Sequence, residues 1–294
     1  MKTIRVGSRA SKLAVIQAEM VMDAIRASHP EVRTELVTMT TTGDKILDRT
    51  LDKIGGKGLF VKELDRALLA GEVDITVHSM KDLPTELNPE LPIVAVSERA
   101  QPYDALVLPQ GVRERDPKQP IGCASARRRI QLQKLFPDAE IRPIRGNLQT
   151  RLAKLDAGEY GALVLAQAGL ARLGLEYRIH RLFSPEEILP SACQGILAVQ
   201  ARAGEDVSYL SGFHNEAAML CAETERAFIR TLDGGCSAPV AAFAEKLEHN
   251  IRLTGLYVSE DETVRRRETI TIPAEDAPRA AAELAHKLKQ EANR

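Results

Sequence analysis

Over the first two-thirds of the chain, short β-branched runs alternate with amphipathic stretches. Thr3–Gly7 reads as a strand, and Ser11 stands where a helix N-cap belongs. From there to about Ser28, Leu13, Ile16, Met20, Val21, Ala24 and Ile25 recur at three- and four-residue spacing, with Pro30 just beyond. That spacing predicts a helix with one buried face. A strand is predicted over about Glu35–Thr40. The glycine-rich stretch Thr41–Gly58 reads as a mobile loop. A helix over Leu59–Ala70, stopped at Gly71, leads into a buried strand at Val73–Val77.

Two strand-like runs between Val94 and Leu108 flank Ser97–Pro102, which reads as a crossing between lobes. A second βα series follows. Ile121-Gly122 leads into a helix over Ala126–Leu135, and Glu140–Ile144 into a helix over Leu148–Leu155. Ala162–Leu165 leads into Ala168–Leu173, and the chain around Pro190–Gly195 crosses back. A long helix over Glu216–Leu232, strands at Ile251–Val258 and Val264–Ile272, and a helix over Ala274–Ala292 complete the pattern. The fold class predicted is α/β: two doubly wound lobes plus a small α+β C-terminal domain. The expected boundaries are 1–97 with 196–214, then 101–190, then 216–294.

Composition excludes several function classes. Of 294 residues, 44% are hydrophobic and 28% charged, which is globular rather than disordered. The 40 Lys and Arg against 41 Asp and Glu leave a net charge of −1, with no Trp. Neither a basic surface nor a base-stacking platform for nucleic acid is expected. No apolar stretch approaches membrane-spanning length, and the start carries no secretory signal, so a cytoplasmic protein is expected. Four cysteines, at 123, 193, 221 and 236, have no metal-ligand spacing; neither a metal site nor disulfides are expected.

The informative chemistry lies where strands end. Arg9 and Ser11 follow the first strand; His78, Ser79, Lys81 and Asp82 follow Val73–Val77. Ser125, Arg127 and Arg128 follow Ile121, and Arg145 follows Ile144. Open α/β sheets bind ligands at these carboxyl ends, and helix N-termini favour anions. Any one arginine is equally consistent with solvated helix surface; the set points to a ligand with several carboxylates. Asp82, in His78-Ser79-Met80-Lys81-Asp82-Leu83-Pro84, fits a turn carboxylate or a group that stabilises a developing positive charge. Gly55-Gly56-Lys57-Gly58 lacks the spacing of a phosphate loop. Cys236 follows two glycines, which leaves its thiol accessible, whereas Cys221 lies in an apolar run.

Several segments, in order along nearly the whole chain, carry a resemblance. They are Gly7-Ser8-Arg9-Ala10-Ser11, Gly55–Leu64, Val77–Pro84, Leu155–Tyr160, Ala168–Gly174 and Leu232-Asp233-Gly234-Gly235-Cys236. The sequence resembles the porphobilinogen deaminases, also called hydroxymethylbilane synthases. The resemblance implies two lobes like those of periplasmic binding proteins and a third domain carrying a dipyrromethane on a cysteine thioether, here Cys236. It implies a transferase of tetrapyrrole (heme and porphyrin) biosynthesis, a cytoplasmic monomer. Four porphobilinogen molecules are condensed head to tail with loss of ammonia, and hydroxymethylbilane is released.

By matching position, Arg9, Ser11, Gln17, Arg145, Arg151, Arg172 and Gln194 are expected to hold substrate or growing polypyrrole. Ser79, Lys81, Asp82, Ser125, Arg127, Arg128, Arg145, Arg151 and Gly195 are expected around the cofactor. Arg9, Lys81 and Asp82 are the expected catalytic set, with Asp82 stabilising the methylene pyrrolenine cation left when ammonia departs. Lys53, Lys57 and Phe60 match the family's mobile loop.

Two departures stand out. Where the family usually has Gly-Thr-Ser-Ser-Leu-Arg-Arg, this chain reads Gly122-Cys123-Ala124-Ser125-Ala126-Arg127-Arg128, and the glycine usual before Gln-Gly is Cys193. Altered hydrogen bonding to cofactor carboxylates and altered lobe motion are the expected effects. Two other readings compete: a two-lobed anion receptor of the periplasmic type, since fold does not fix function, and a cysteine hydrolase pairing Cys236 with His78 or His214. The absent secretory signal and the cysteine-bearing third domain weigh against the first; the absence of a nucleophile motif weighs against the second.

Overall fold

The computed structural model describes residues 3–45, 61–232 and 239–292. The chain divides into two compact units: 3–45, 61–100 and 195–219 form the first, and 101–194, 220–232 and 239–292 the second. Among the described residues no helix is long and apolar enough to cross a membrane.

In the first unit, β1 (Thr3–Arg9) leads through α1 (Lys12–Ser28) to β2 (Arg33–Met39), which lies parallel to β1 with Thr3 opposite Arg33. The short α2 (Thr42–Lys45), α3 (Lys62–Leu69), β3 (Ile75–Ser79) and β4 (Ile93–Val96) follow. Ser11 caps α1 as expected, its hydroxyl accepting the Ala14 N–H. The buried stripe of the helix is Gln17, Ala18, Val21, Met22 and Ile25, and its four apolar side chains pack with Ile4, Val6, Ile75 and Val77. Met20 lies outside that stripe and is exposed, which corrects its expected place on the apolar face.

The second unit opens with β5 (Asp104–Val107), β6 (Ile121–Cys123), α4 (Ala126–Leu135), β7 (Ile141–Pro143), α5 (Leu148–Asp156), β8 (Ala162–Ala166), α6 (Gln167–Arg172) and β9 (Ile179–Leu182). Its sheet runs β7-β6-β8-β5-β9. Strand alternation sorts the core to two faces. Ala105, Val107, Leu163 and Leu165 pack with Leu152, Leu155 and Leu170; Leu106, Ala162 and Val164 pack with Leu132 and Phe183.

The chain then returns as β10 (Leu197–Gln200), a strand that periodicity does not reveal, which enters the first sheet antiparallel between β3 and β4. That sheet runs β2-β1-β3-β10-β4. Helix α7 (Glu216–Thr231), strands β11 (Ala241–Lys246), β12 (Asn250–Val258) and β13 (Arg265–Pro273), and helix α8 (Ala277–Ala292) follow. One face of this antiparallel sheet buries Ala242, Ala244, Ile251 and Leu253 against Phe228 of α7 and Leu284 and Leu288 of α8. The other buries Ala241, Phe243, Leu256 and Val258 against Ile130 of α4 and Leu189. Around that second contact Arg129 pairs with Glu262, and Arg267 donates to the carbonyls of Glu186 and Pro185. The molecule is therefore α/β, with two sheet-containing lobes and a C-terminal domain of one sheet and two helices.

The outgoing and returning segments are hydrogen-bonded to each other. Ala100 N–H donates to the Gly195 carbonyl at 3.2 Å, and Ser97 N–H to that of Leu197 at 3.0 Å. Gly195 has φ +92°, and a Cβ there would lie 2.3 Å from the Ala100 carbonyl oxygen. At Gly204, φ is +81° with nothing within 4 Å of a Cβ. Gly204→Ala meets only left-handed strain of about 1 kcal/mol, whereas Gly195→Ala adds a backbone clash and is expected to cost about 3 kcal/mol. Urea unfolding of the two variants measures the difference; equal losses would contradict it.

Candidate active site

In the first unit, side chains gather beyond the carboxyl ends of β1 and β3. Arg9 closes β1 and is half-buried. Gln17 lies buried on α1 and donates Nε2 to the Ser79 hydroxyl at 3.0 Å, joining two of the expected residues directly. After Ser79 a single 3₁₀ turn, Met80–Asp82, changes the direction of the chain. Met80 and Leu83 are buried, the Leu83 N–H closes the turn on the Met80 carbonyl, and the Met80 N–H is held by the Ile196 carbonyl. The core thus grips both ends of a turn on which Lys81 is half-buried and Asp82 exposed. Asp82 is thereby presented to solvent from a turn that is held at both ends.

His78, on the preceding strand, is buried, and its Nε2 lies 3.0 Å from the Thr76 hydroxyl. Burial, followed by the charge of Arg9, drives its pKa down to about 3. It is a neutral framework residue at physiological pH.

In the second unit the set centres on the start of α4. Ser125 occupies the N-cap position with extended backbone, yet its hydroxyl makes no capping bond. Arg127 and Arg128 are both buried and both close on Asp104, which is 0% exposed. Arg127 Nη1 donates to Asp104 Oδ2 at 2.8 Å and to the Leu189 carbonyl at 2.7 Å. Arg128 donates Nε and Nη2 to Oδ1 at 3.0 and 2.7 Å, and Nη1 to the Val164 carbonyl at 3.3 Å. Burial acts to raise the Asp104 carboxyl, but the two guanidinium charges and their hydrogen bonds outweigh it and hold it well below the usual carboxylate range.

Gln194 donates Nε2 to Asp104 Oδ1 at 2.9 Å and to the Pro102 carbonyl. Arg145 follows β7, and Arg151, on α5, donates Nε to the Gly146 carbonyl at 2.8 Å. Arg172 ends α6, and burial lowers its pKa to about 10, so it stays cationic at neutral pH.

The structure therefore brings Gln17 to Ser79, and Arg127, Arg128 and Gln194 together around Asp104. Sequence reading misses Asp104, whose only signal is an acidic residue opening a strand that is otherwise apolar. Cys236, Lys53, Lys57 and Phe60 lie outside the described residues. The described cysteines, Cys123, Cys193 and Cys221, are buried, and burial pushes the Cys123 thiol up.

Comparison with known proteins decides the family. A family model described as the dipyrromethane cofactor binding domain of porphobilinogen deaminase matches residues 4–209, and one described as its C-terminal domain matches 219–290. The chain belongs to the porphobilinogen deaminase family. It is 56% identical over 290 residues to the porphobilinogen deaminase of Ruminiclostridium cellulolyticum, covering 98% of each chain. To that of Alkaliphilus oremlandii it is 57% identical over 288 residues, covering 98% of this chain and 97% of the relative. Among solved structures it is similar to the periplasmic aliphatic sulphonate binding protein of Escherichia coli, with a TM-score of 0.40, 12% identity and coverage of 79% and 71%.

On the described side of the site, the residues fit the family's dipyrromethane. The Nε of Arg127 is buried without a hydrogen-bond partner, and Ser125, at the N-cap position of α4, makes no capping bond; guanidinium and hydroxyl donors are groups suited to a carboxylate.

The buried His78 has a testable acid signature. Its pKa is lowered from 6.5 in the unfolded chain to about 3 in the fold. Between these values the unfolded chain binds the extra proton, so the contribution of neutral His78 is fully present above pH 6.5 and is lost as pH falls toward 3. The expected slope is up to about 1.4 kcal/mol per pH unit. His78→Gln should flatten that limb in urea unfolding measured across the range; an unchanged slope would contradict the assignment.

Proposed function

We propose that this transferase condenses four porphobilinogen molecules head to tail onto a dipyrromethane held by a thioether to Cys236, and releases hydroxymethylbilane. The observation that supports the reading is the start of α4, where Ser125 makes no capping bond and the buried Arg127 Nε has no hydrogen-bond partner. Every pyrrole of the substrate bears an acetate and a propionate, so the growing chain is a polyanion. Ser125, Arg127, Arg128 and Lys81 would hold the cofactor; Arg9, Arg145, Arg151 and Arg172 would bind the carboxylates of substrate and product. When bound, the dipyrromethane supplies the free α-carbon on which the chain is built.

Asp82 does the charge work. Departure of ammonia from porphobilinogen leaves a methylene pyrrolenine cation, and the exposed carboxylate on its gripped turn faces the pyrrole N–H groups and stabilises that cation. Lys81 sits beside it. The three buried cysteines are poorly placed to carry a cofactor, which supports Cys236 as the attachment point. The reading extends to a cytoplasmic monomer with lobes 1–97 with 196–214 and 101–190 and a C-terminal domain 216–294.

Two variants test it. Intact mass spectrometry of the purified protein is expected to show the added mass of two pyrrole units, and Cys236→Ala to remove it. The adduct surviving on another cysteine would refute the attachment, and native protein without any adduct would favour a receptor. Asp82→Asn should keep the fold, because the side chain is exposed, and lower kcat by at least about 100-fold. Product formation from porphobilinogen measures this, and near-native turnover would remove Asp82 from its role.

A further inference from the structure

The second unit contains a chain of buried polar groups, two of which, Glu225 and Asp104, have no part in the proposed reaction. Glu225, on α7, is 0% exposed, and its oxygens accept two different backbone groups. Oε1 takes the Ala244 N–H of β11 and Oε2 the Cys193 N–H, each at 2.6 Å. Cys193 is buried and adopts φ 60°, a conformation that favours glycine. The next residue, Gln194, donates Nε2 to Asp104, and Asp104 receives Arg127 and Arg128.

Two carboxylates placed this deeply are costly to desolvate, and apolar residues of similar size serve stability as well or better. What such groups do specify is geometry. In sequence, Cys236 lies between α7 and β11, the two elements that Glu225 joins.

We propose that Glu225 and Asp104 are positioning residues, the two ends of one hydrogen-bonded chain that sets where Arg127 and Arg128 stand relative to the elements flanking Cys236. The proposal rests on the function proposed above, because that function makes this spacing matter: a carboxylate-bearing ligand tethered at Cys236 must meet the guanidinium groups in register. Neither carboxylate touches the ligand. Glu225 acts through the Cys193 backbone and Gln194, and Asp104 acts on the arginines directly.

The test is a double-mutant cycle in the full-length protein with Glu225→Gln and Asp104→Asn. Intact mass gives the fraction carrying the two-pyrrole adduct, porphobilinogen turnover gives KM and kcat, and hydrogen exchange is followed at the Cys193 and Ala244 amides. Each single variant is expected to raise KM about tenfold with little change in kcat, and to lower adduct occupancy. The double variant should be no worse than the poorer single one, because either break interrupts the same chain. Multiplicative losses, or single variants with wild-type KM and full occupancy, would overturn the proposal.

Should a charged-site variant fail to fold, Gln194→Leu breaks the chain at its middle without leaving a carboxylate in place of a partner. It should speed exchange of the Cys193 amide at least about tenfold, and an unchanged rate overturns the proposal. A wild-type protein that neither carries the adduct nor consumes porphobilinogen sinks the proposed function, and the positioning role with it. Wild-type activity with independent variants sinks the positioning role alone.

Discussion

Asp104 stands between two guanidinium groups with no access to water, and the arrangement of the second unit's cations follows from it. Taking one carboxylate and two arginines out of solvent costs several kcal/mol per ion. The structure offsets that cost with geometry: the carboxylate accepts from Arg127, twice from Arg128 and from Gln194. The outer guanidinium nitrogens are turned to the carbonyls of Leu189 and Val164. Two positive charges against one negative leave a net positive charge at the start of α4, where unsatisfied backbone N–H groups already favour an anion. The pair therefore acts as a preset, dry, positively charged corner rather than as two mobile surface side chains.

Buried hydrogen bonds also hold the two cysteines of the second unit that precede Gln194. Cys193 stands directly before Gln194-Gly195, and the structure gives it the left-handed conformation that a glycine adopts freely. A side chain there costs about 1–2 kcal/mol of local strain. The Cys193 N–H bond to Glu225 and the burial of the thiol against helix α7 hold the residue in that conformation. The other cysteine, Cys123, is likewise absorbed, since its thiol points at the Ser125 carbonyl and packs with Ile121 and Leu132. Neither cysteine resembles a reactive site.

Much of the fold was legible in sequence, and what was not has identifiable causes. Ser11 as a cap, the strand-to-helix units beyond Ile121 and the final helix were readable because each is set by local spacing. Strand β10 was not, because three apolar residues and a glutamine fit a helix segment as well as a strand, and its pairing with β3 joins residues more than a hundred positions apart. The inward face of α1 was misassigned at Met20 because Gln17, a polar residue, takes an inward place by bonding Ser79, 62 positions away. The candidate cations could be found from their position after strands. Asp104 and Glu225 could not: an acidic residue carries no mark of burial, and their partners lie 23, 24 and 90 positions away for Asp104, and 32 and 19 for Glu225.

The burial of the histidines bears on which residue can move a proton. His78 lies only four positions from Asp82 and would be the natural base for a cysteine nucleophile, but burial and the charge of Arg9 keep it neutral down to about pH 3. A base must bind the proton it takes, and a group that stays deprotonated at pH 4 cannot hold one at pH 7. His214 is no better placed, because its Nδ1 accepts the Val96 N–H in the first sheet. With both histidines committed to the framework, a histidine-assisted cysteine hydrolase loses its base. Asp82, presented on a turn gripped at both ends and open to solvent, is the group whose placement suits charge stabilisation in the first unit. The arginines of the second unit, by contrast, stay charged across the physiological pH range.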